Sequence, residues 1–235
     1  MTAKASPYRH QRLIFDADNT LFDFDQAEAH ALVSTLRHFA MPTPEGLIDH
    51  YRQMNVALWQ QLDAKQIGIA ELKQRRAESV FDFVGAAHTD HETFSVQYLD
   101  ALAEQQCLLA AVKETLAALS AHCEMAIITN GLARVQKPRF ANSEIQHHFG
   151  ALVISEELGV AKPEPEIFEH TCDLMGWSDP AQVLMVGDNY RCDIQGAADF
   201  GMQTCWFNLR QIPHSHQDHN HEIHHFGQLL DVLRV

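Results

Sequence analysis

The chain has 235 residues, 46% of them hydrophobic, enough to fill one large domain or a core carrying a modest insert. Its 17 Lys and Arg stand against 31 Asp and Glu, a formal charge of −14, which excludes the broad basic face that nucleic acids and anionic membranes require for counterion replacement. If the substrate is itself an anion, a local arrangement of cations must override that field, which points toward a metal.

The first residues, MTAKASPYRHQR, run into a strand-like LIF without the apolar stretch of an export signal, and no later run approaches membrane-spanning length. Cys107, Cys123, Cys172, Cys192 and Cys205 are odd in number and form no CxxC pair, so the expected setting is a reducing cytoplasm.

Short apolar runs alternate with longer helical patterns, the mark of a parallel sheet covered by helices on both faces. Strands are expected at Arg12–Phe15, 125–129, Ala151–Ile154, 183–186 and 204–207. Between the first and second lie roughly a hundred residues, where a crossover needs only about a dozen. The intervening patterns, AEAHALVSTLRHFA, TPEGLIDHYRQMNVALWQQLDA and IAELKQRRAESVFDFVG, are helical, which predicts a cap over 22–97 inserted into a core of 1–21 and 98–235. Residues 108–120 read as the first crossover helix of that core. Near the end, His214, His216, His219, His221, His224 and His225 crowd into a polar stretch before a short closing helix, 227–233. The stretch reads as a solvated loop; a zinc or nickel site is the alternative, although the spacing matches no closed metal pattern.

The chemistry-bearing residues stand where the apolar runs end. LIFDADNT delivers Asp16 and Asp18 two positions apart, on one side of an extended chain, followed by Thr20. Two carboxylates facing one small space are costly unless a cation joins them or one holds a proton. MAIITNG ends in Thr129, Asn130 and Gly131, a hydroxyl and backbone N–H groups at a turn suited to cradling an anion. VAKPEPEIF places Lys162 before Pro163, which keeps the lysine out of the following helix. VLMVGDNYRCD ends in Gly187 and Asp188, with Asp193 five residues later, either an ordinary acid at a helix start or part of the same site. In a doubly wound sheet these ends converge on the crevice at the carboxyl edge. Oxygen ligands of this kind suit Mg²⁺.

LIFDADNTLF, IITNG, Lys162 in VAKPEP and VGDNYRCD, in that order, resemble the four motifs of the haloacid dehalogenase superfamily. The resemblance implies a Rossmann-like core of strand order 5-4-1-2-3 with a helical cap inserted after the first strand. It also implies Asp16 as nucleophile, Asp18 as general acid and base, and Thr129, Asn130 and Lys162 at the phosphoryl group. Mg²⁺ would be held by the Asp16 carboxylate, the Asp18 backbone carbonyl and Asp188, with Thr20 and Asp193 in support. A metal and a second carboxylate favour phosphatase over dehalogenase, because dehalogenation by a carboxylate nucleophile needs neither.

Within the superfamily, IFDADNTLFDFD, LVISEELGVAKPEPEIF, VLMVGDN and TCWFN look like the pyrimidine-preferring nucleoside 5′-monophosphatases, and Gln136 and Arg139 sit where that group has Gln and Arg. The implied substrate is a small phosphorylated metabolite, a nucleotide. Departures are Pro138, where the group continues a helix, NSEIQHHF, which lacks its usual glycine, and the His-rich tail. Phe24 and Trp59 read as cap core, or else as base-stacking surfaces. Two alternatives stand beside the nucleotidase: a phosphoglycolate or sugar-phosphate phosphatase of the same superfamily, and a non-catalytic protein of this fold that binds a metal or a partner.

Overall fold

Strands β1 (Arg12–Phe15), β2 (Glu124–Thr129), β3 (Ala151–Ile154), β4 (Val183–Gly187), β5 (Gln203–Phe207) and β6 (His221–Ile223) pair in parallel in the order β3-β2-β1-β4-β5-β6. This computed structural model describes residues 7–86, 90–215 and 218–234. The chain divides into two units, one comprising everything up to Phe24 and from Gln106 onward, the other Asp25–Gln105.

The second unit is helical: α1 (Phe24–His38, entered from the first unit), α2 (Leu47–Asp63), α3 (Ile69–Val84) and α4 (His91–Ala103). Local chemistry sets their ends. Gly85 closes α3 in the left-handed region at φ 73°, and the Asp90 carboxylate opens α4 by accepting from the Glu92 and Thr93 N–H groups at 3.0 and 3.2 Å. Apolar faces meet inside, where the Phe94 ring packs edge-on against Phe81, 4.9 Å between centroids. Trp59 is half-buried on α2, as is Phe24 at the head of α1.

The first unit is the sheet with its covering helices: α5 (Val112–Leu119), α6 (Ala133–Ala141), α7 (Ser155–Leu158), α8 (Pro165–Met175), α9 (Gly196–Asp199) and α10 (Leu229–Leu233). Because successive strand residues face opposite ways, Leu13 and Phe15 join a cluster with Met125, Val186, Val112 and Leu229, while Ile14 joins Ala126, Met185, Phe168 and Ala197 on the reverse face. All three β1 side chains are fully buried, each contributing about 1.5–3 kcal/mol, which fixes this strand at the middle of the sheet.

The expected order 5-4-1-2-3 is present, with β6 added beside β5. That strand lies in the His-rich stretch read as a loop. Only Ile223 of its three residues reaches the core, so no apolar run announces it. The crossover helix is shorter than 108–120, because Leu108 pairs with Phe22 and the Leu109 N–H donates to the Leu21 carbonyl at 3.0 Å. Helix α6 runs through Pro138, which supplies no N–H to the turn before it. The closing helix is a tight turn over Phe226–Gln228 leading into α10.

Candidate active site

Asp16 continues β1 by one residue, its N–H donating to the Val186 carbonyl at 2.9 Å. The chain then folds back: Asn19 adopts a left-handed φ of 59°, which Asn tolerates better than most residues, and the Leu21 and Phe22 N–H groups both donate to the Ala17 carbonyl at 2.9 Å. This turn sets Asp16 and Asp18 beside the ends of β2 and β4. Thr20 is fully buried in it.

At the end of β2, the Thr129 hydroxyl accepts from the Gly131 N–H at 3.0 Å. A Cβ on Gly131 would lie 2.2 Å from Gln136 Nε2, so a larger residue here would displace the Gln136 side chain. The Asn130 side chain reaches across to the loop that carries Lys162, whose ammonium lies 2.6 Å from Asp16 Oδ1, 2.7 Å from Asp193 Oδ1 and 3.0 Å from the Ile128 carbonyl.

Beyond β4 the chain makes a wide helical turn over Tyr190–Gln195, with Asn189 Oδ1 accepting from the Cys192 N–H at 3.0 Å. The turn drops Asp193 into the interior, 1% exposed, where its Oδ2 accepts from the Asn189 N–H at 3.0 Å. A Cβ on Gly187 would lie 2.3 Å from that Asp193 oxygen, which explains the glycine before Asp188. Carboxylate oxygens of Asp16, Asp188 and Asp193 all lie within 4.8 Å of one another.

Burial pushes the Asp16 carboxyl up to about 7, with Lys162 pulling against it and Asp193 and Asp18 adding repulsion. Asp188 is raised well above the carboxylate range, by burial first and then by Asp16 and Asp193. Burial opposes the charge on Lys162, yet Asp16 and Asp193 outweigh it and hold the ammonium above its ordinary value. Fully ionised, the three carboxylates and one ammonium would carry two net negative charges, and the raised Asp16 and Asp188 carboxyls reflect that imbalance. An all-oxygen set with that residual charge fits a hard divalent cation.

Asp18 belongs to a different set of contacts. Its Oδ2 accepts from Gln136 Nε2 at 2.7 Å, and its Oδ1 meets the Arg139 guanidinium, which also donates to Gln136 Oε1 at 2.8 Å. Arg139 is fully buried, 4.6 Å from the centre of the Phe22 ring. The family likeness marks Gln136 and Arg139 as shared positions and assigns them no role. Their spacing of three on one helix, just after the second strand end, was the available signal.

The motifs thus bring Asp16, Asp18, Lys162, Asp188 and Asp193 to one sheet edge, with Thr129 and Asn130 in the adjoining turn. The family model for haloacid dehalogenase-like hydrolases matches residues 11–201. The chain belongs to this family. It is 31% identical over 223 residues, 94% of each chain, to the pyrimidine 5′-nucleotidase PynA of Streptococcus pneumoniae. To the pyrimidine 5′-nucleotidase YjjG of Escherichia coli it is 33% identical over 196 residues, covering 83% of this chain and 85% of that one. Among solved structures it resembles the HAD-hydrolase YfnB of Bacillus subtilis bound to magnesium, with a TM-score of 0.89, 25% identity, and coverage of 97% of this chain and 100% of that one. Like PynA and YjjG, this haloacid dehalogenase-like hydrolase is a phosphatase.

Proposed function

We propose that the chain hydrolyses nucleoside 5′-monophosphates, pyrimidine nucleotides foremost, by transferring the phosphoryl group to Asp16. The observation that carries this reading is the contrast between two aspartates at one strand end: Asp16 beside Lys162 and the acidic cluster, Asp18 on Gln136 and Arg139. A carboxylate nucleophile and a separate proton carrier are what two-step hydrolysis of a phosphate ester requires.

In the first step an Asp16 oxygen attacks phosphorus in line, the bond from phosphorus to the ester oxygen breaks, and Asp18 gives its proton to the departing alcohol. In the second, Asp18 takes a proton from water, the water oxygen attacks phosphorus, and the acyl-phosphate bond breaks to release phosphate and restore Asp16. Lys162, the Thr129 hydroxyl and the backbone N–H of Asn130 hold the phosphoryl oxygens, while the Asn130 side chain stays on the Lys162 backbone. Asp16, Asp188 and the Asp18 carbonyl would hold one Mg²⁺, supported by Thr20 and Asp193. The ion supplies the charge compensation that lets a carboxylate approach a dianionic ester. The choice of substrate rests on the likeness to PynA and YjjG. The five free cysteines accord with a cytoplasmic setting.

A panel of phosphate esters tests the proposal. Pyrimidine nucleoside monophosphates should give the highest kcat/KM, chelation should abolish turnover, and added Mg²⁺ should restore it. Faster hydrolysis of phosphoglycolate or sugar phosphates than of any nucleotide would retire the substrate assignment. Substantial turnover by a folded Asp16→Ala variant would retire the nucleophile.

A further inference from the structure

The amino edge of the sheet, opposite the crevice, collects cations that the chemistry above does not use. Arg12 opens β1 and Asp16 follows its last residue, so the two stand about 13 Å apart at roughly 3.3 Å per residue. There the approach to β1 and the turn before β4 enclose a cleft of about 330 Å³ lined by Arg9, His10, Gln11, Arg12, Ala181 and Gln182. None of these side chains is acidic.

Nearby acids are turned to other partners. Asp179, at the head of the turn, accepts from the Ala181 N–H at 3.1 Å and from Gln182 Nε2 at 2.9 Å. Glu124, which stands across from Arg12 on β2, accepts from Trp177 Nε1 at 2.8 Å. Among the described residues Arg12 makes no ion pair, and the Arg9 guanidinium donates once, from Nε to the Arg234 carbonyl at 2.9 Å. The terminal amino groups of Arg9 remain as donors.

The histidines beside the cleft register this surplus of positive charge. Burial holds His10 below its ordinary value against a hydrogen bond to the Gln182 backbone, and Arg9 adds to the lowering. His221, at the start of β6, is lowered by burial first, then by His10, Arg9 and His219. Each lowering by a neighbour is repulsion between positive groups, in a chain whose formal charge is −14. A small anion in the cleft relieves that repulsion, and His10 takes up a proton more readily as the anion enters. Guanidinium forks match the paired oxygens of a phosphate, which a spherical ion such as chloride does not offer.

We propose that Arg9, His10 and Arg12 form a binding site for a phosphate dianion, free or at the end of a small ester, separate from the catalytic crevice. A phosphatase releases that ion at every turnover, so the site fills as product accumulates.

Imidazole NMR on the whole protein tests the site, with inorganic phosphate titrated at constant ionic strength in the presence of a chelator. His10→Asn identifies the His10 signal among the 16 histidines. That signal should move saturably with phosphate, and its titration midpoint should shift to higher pH; NaCl alone should do neither. The Kd for phosphate should weaken about tenfold or more in Arg9→Gln/Arg12→Gln, as the loss of charge-assisted hydrogen bonds implies. It should be unchanged in Lys162→Met, which disables the crevice instead. Circular dichroism checks each fold, and Arg9→Gln alone, at an exposed position, carries the test if the double variant does not fold. Methyl phosphate distinguishes the sources: tighter binding than phosphate assigns the site to the head of an ester, equal or weaker binding to the free ion, and either upholds a phosphate site. A His10 signal that does not move saturably, or that moves equally with NaCl, overturns the proposal. An unchanged Kd in the folded arginine variants does so as well, as does loss of the response in Lys162→Met.

Discussion

Asn130 and Lys162 are joined by both edges of one amide: Asn130 Nδ2 donates to the Lys162 carbonyl and the Lys162 N–H donates to Asn130 Oδ1, each at 2.9 Å. The turn after β2 and the loop before α8 are thereby locked together at the residue whose ammonium touches Asp16. The Asn130 side chain therefore holds the backbone of the residue that carries the ammonium.

Asn130→Ala removes both bonds at once. At about 0.5–1.5 kcal/mol each, the loss should be about 1–3 kcal/mol of stability, and kcat on p-nitrophenyl phosphate should fall at least about tenfold as Lys162 loses its register. Steady-state kinetics and a denaturant titration measure the two effects. Wild-type values in both would mean that the clamp does not position Lys162.

Lys162→Met leaves Asp16, Asp188 and Asp193 without the ammonium they share. Loss of a positive group beside the transferring phosphoryl should cost about 10²–10³ in kcat. With its carboxylates ionised by a bound cation the cluster would then lack the one positive side chain that offsets them, so added Mg²⁺ should raise the melting temperature of the variant by more than it raises that of the wild type. An equal or smaller shift would contradict a shared electrostatic site.

The contacts of Asp18 predict non-additivity. Arg139→Ala should lower kcat about 10–100-fold, because the buried guanidinium holds both Gln136 and Asp18. In an Asp18→Asn background the same change should cost much less, a coupling of at least about 1 kcal/mol. Arg139→Lys should not rescue, since a point charge cannot reproduce the fork. Strictly additive losses would place Arg139 outside the proton-transfer step.

In the helical unit, Glu28 is 2% exposed and accepts from Asn55 Nδ2 at 2.6 Å. Burial pushes its carboxyl from 4.5 up to about 7, with the Asn55 hydrogen bond and Arg52 opposing. Below pH 4.5 the group is protonated in both folded and unfolded chains. As pH rises through about 7 the unfolded chain releases the proton more readily, and stability falls by up to about 3 kcal/mol. Glu28→Gln should match the wild type near pH 4 and exceed it near pH 8 in chemical denaturation; a gap of equal size at both pH values would exclude this titration.

What the sequence disclosed was local. Asp16 and Asp188 each close an apolar run, so strand, strand end and carboxylate appear within a few neighbouring letters, and the core order of five strands followed from the family likeness of those segments. What it hid depends on distant partners. Asp193 looks like an ordinary acid at a helix start, and only the wide turn over Tyr190–Gln195 carries it inward to Lys162. The grip of Gln136 and Arg139 on Asp18 spans more than a hundred residues and leaves no periodic trace. Strand β6 escaped notice because His221 and Glu222 are polar and a sheet-edge strand of three residues needs just one apolar side chain.

The central place of β1 imposes an order on assembly. Its ladder partners are β2 and β4, so the segment bearing Asp16 is made before both of its neighbours, and Val183–Gly187 follows long after it. Until then Leu13, Ile14 and Phe15 lack their final surroundings, while the helical residues 25–105 can condense on their own. Newly made chains therefore pass through a stage with a finished helical unit and an unfinished sheet, in which Asp16 has no lysine beside it and the acidic cluster is not yet assembled.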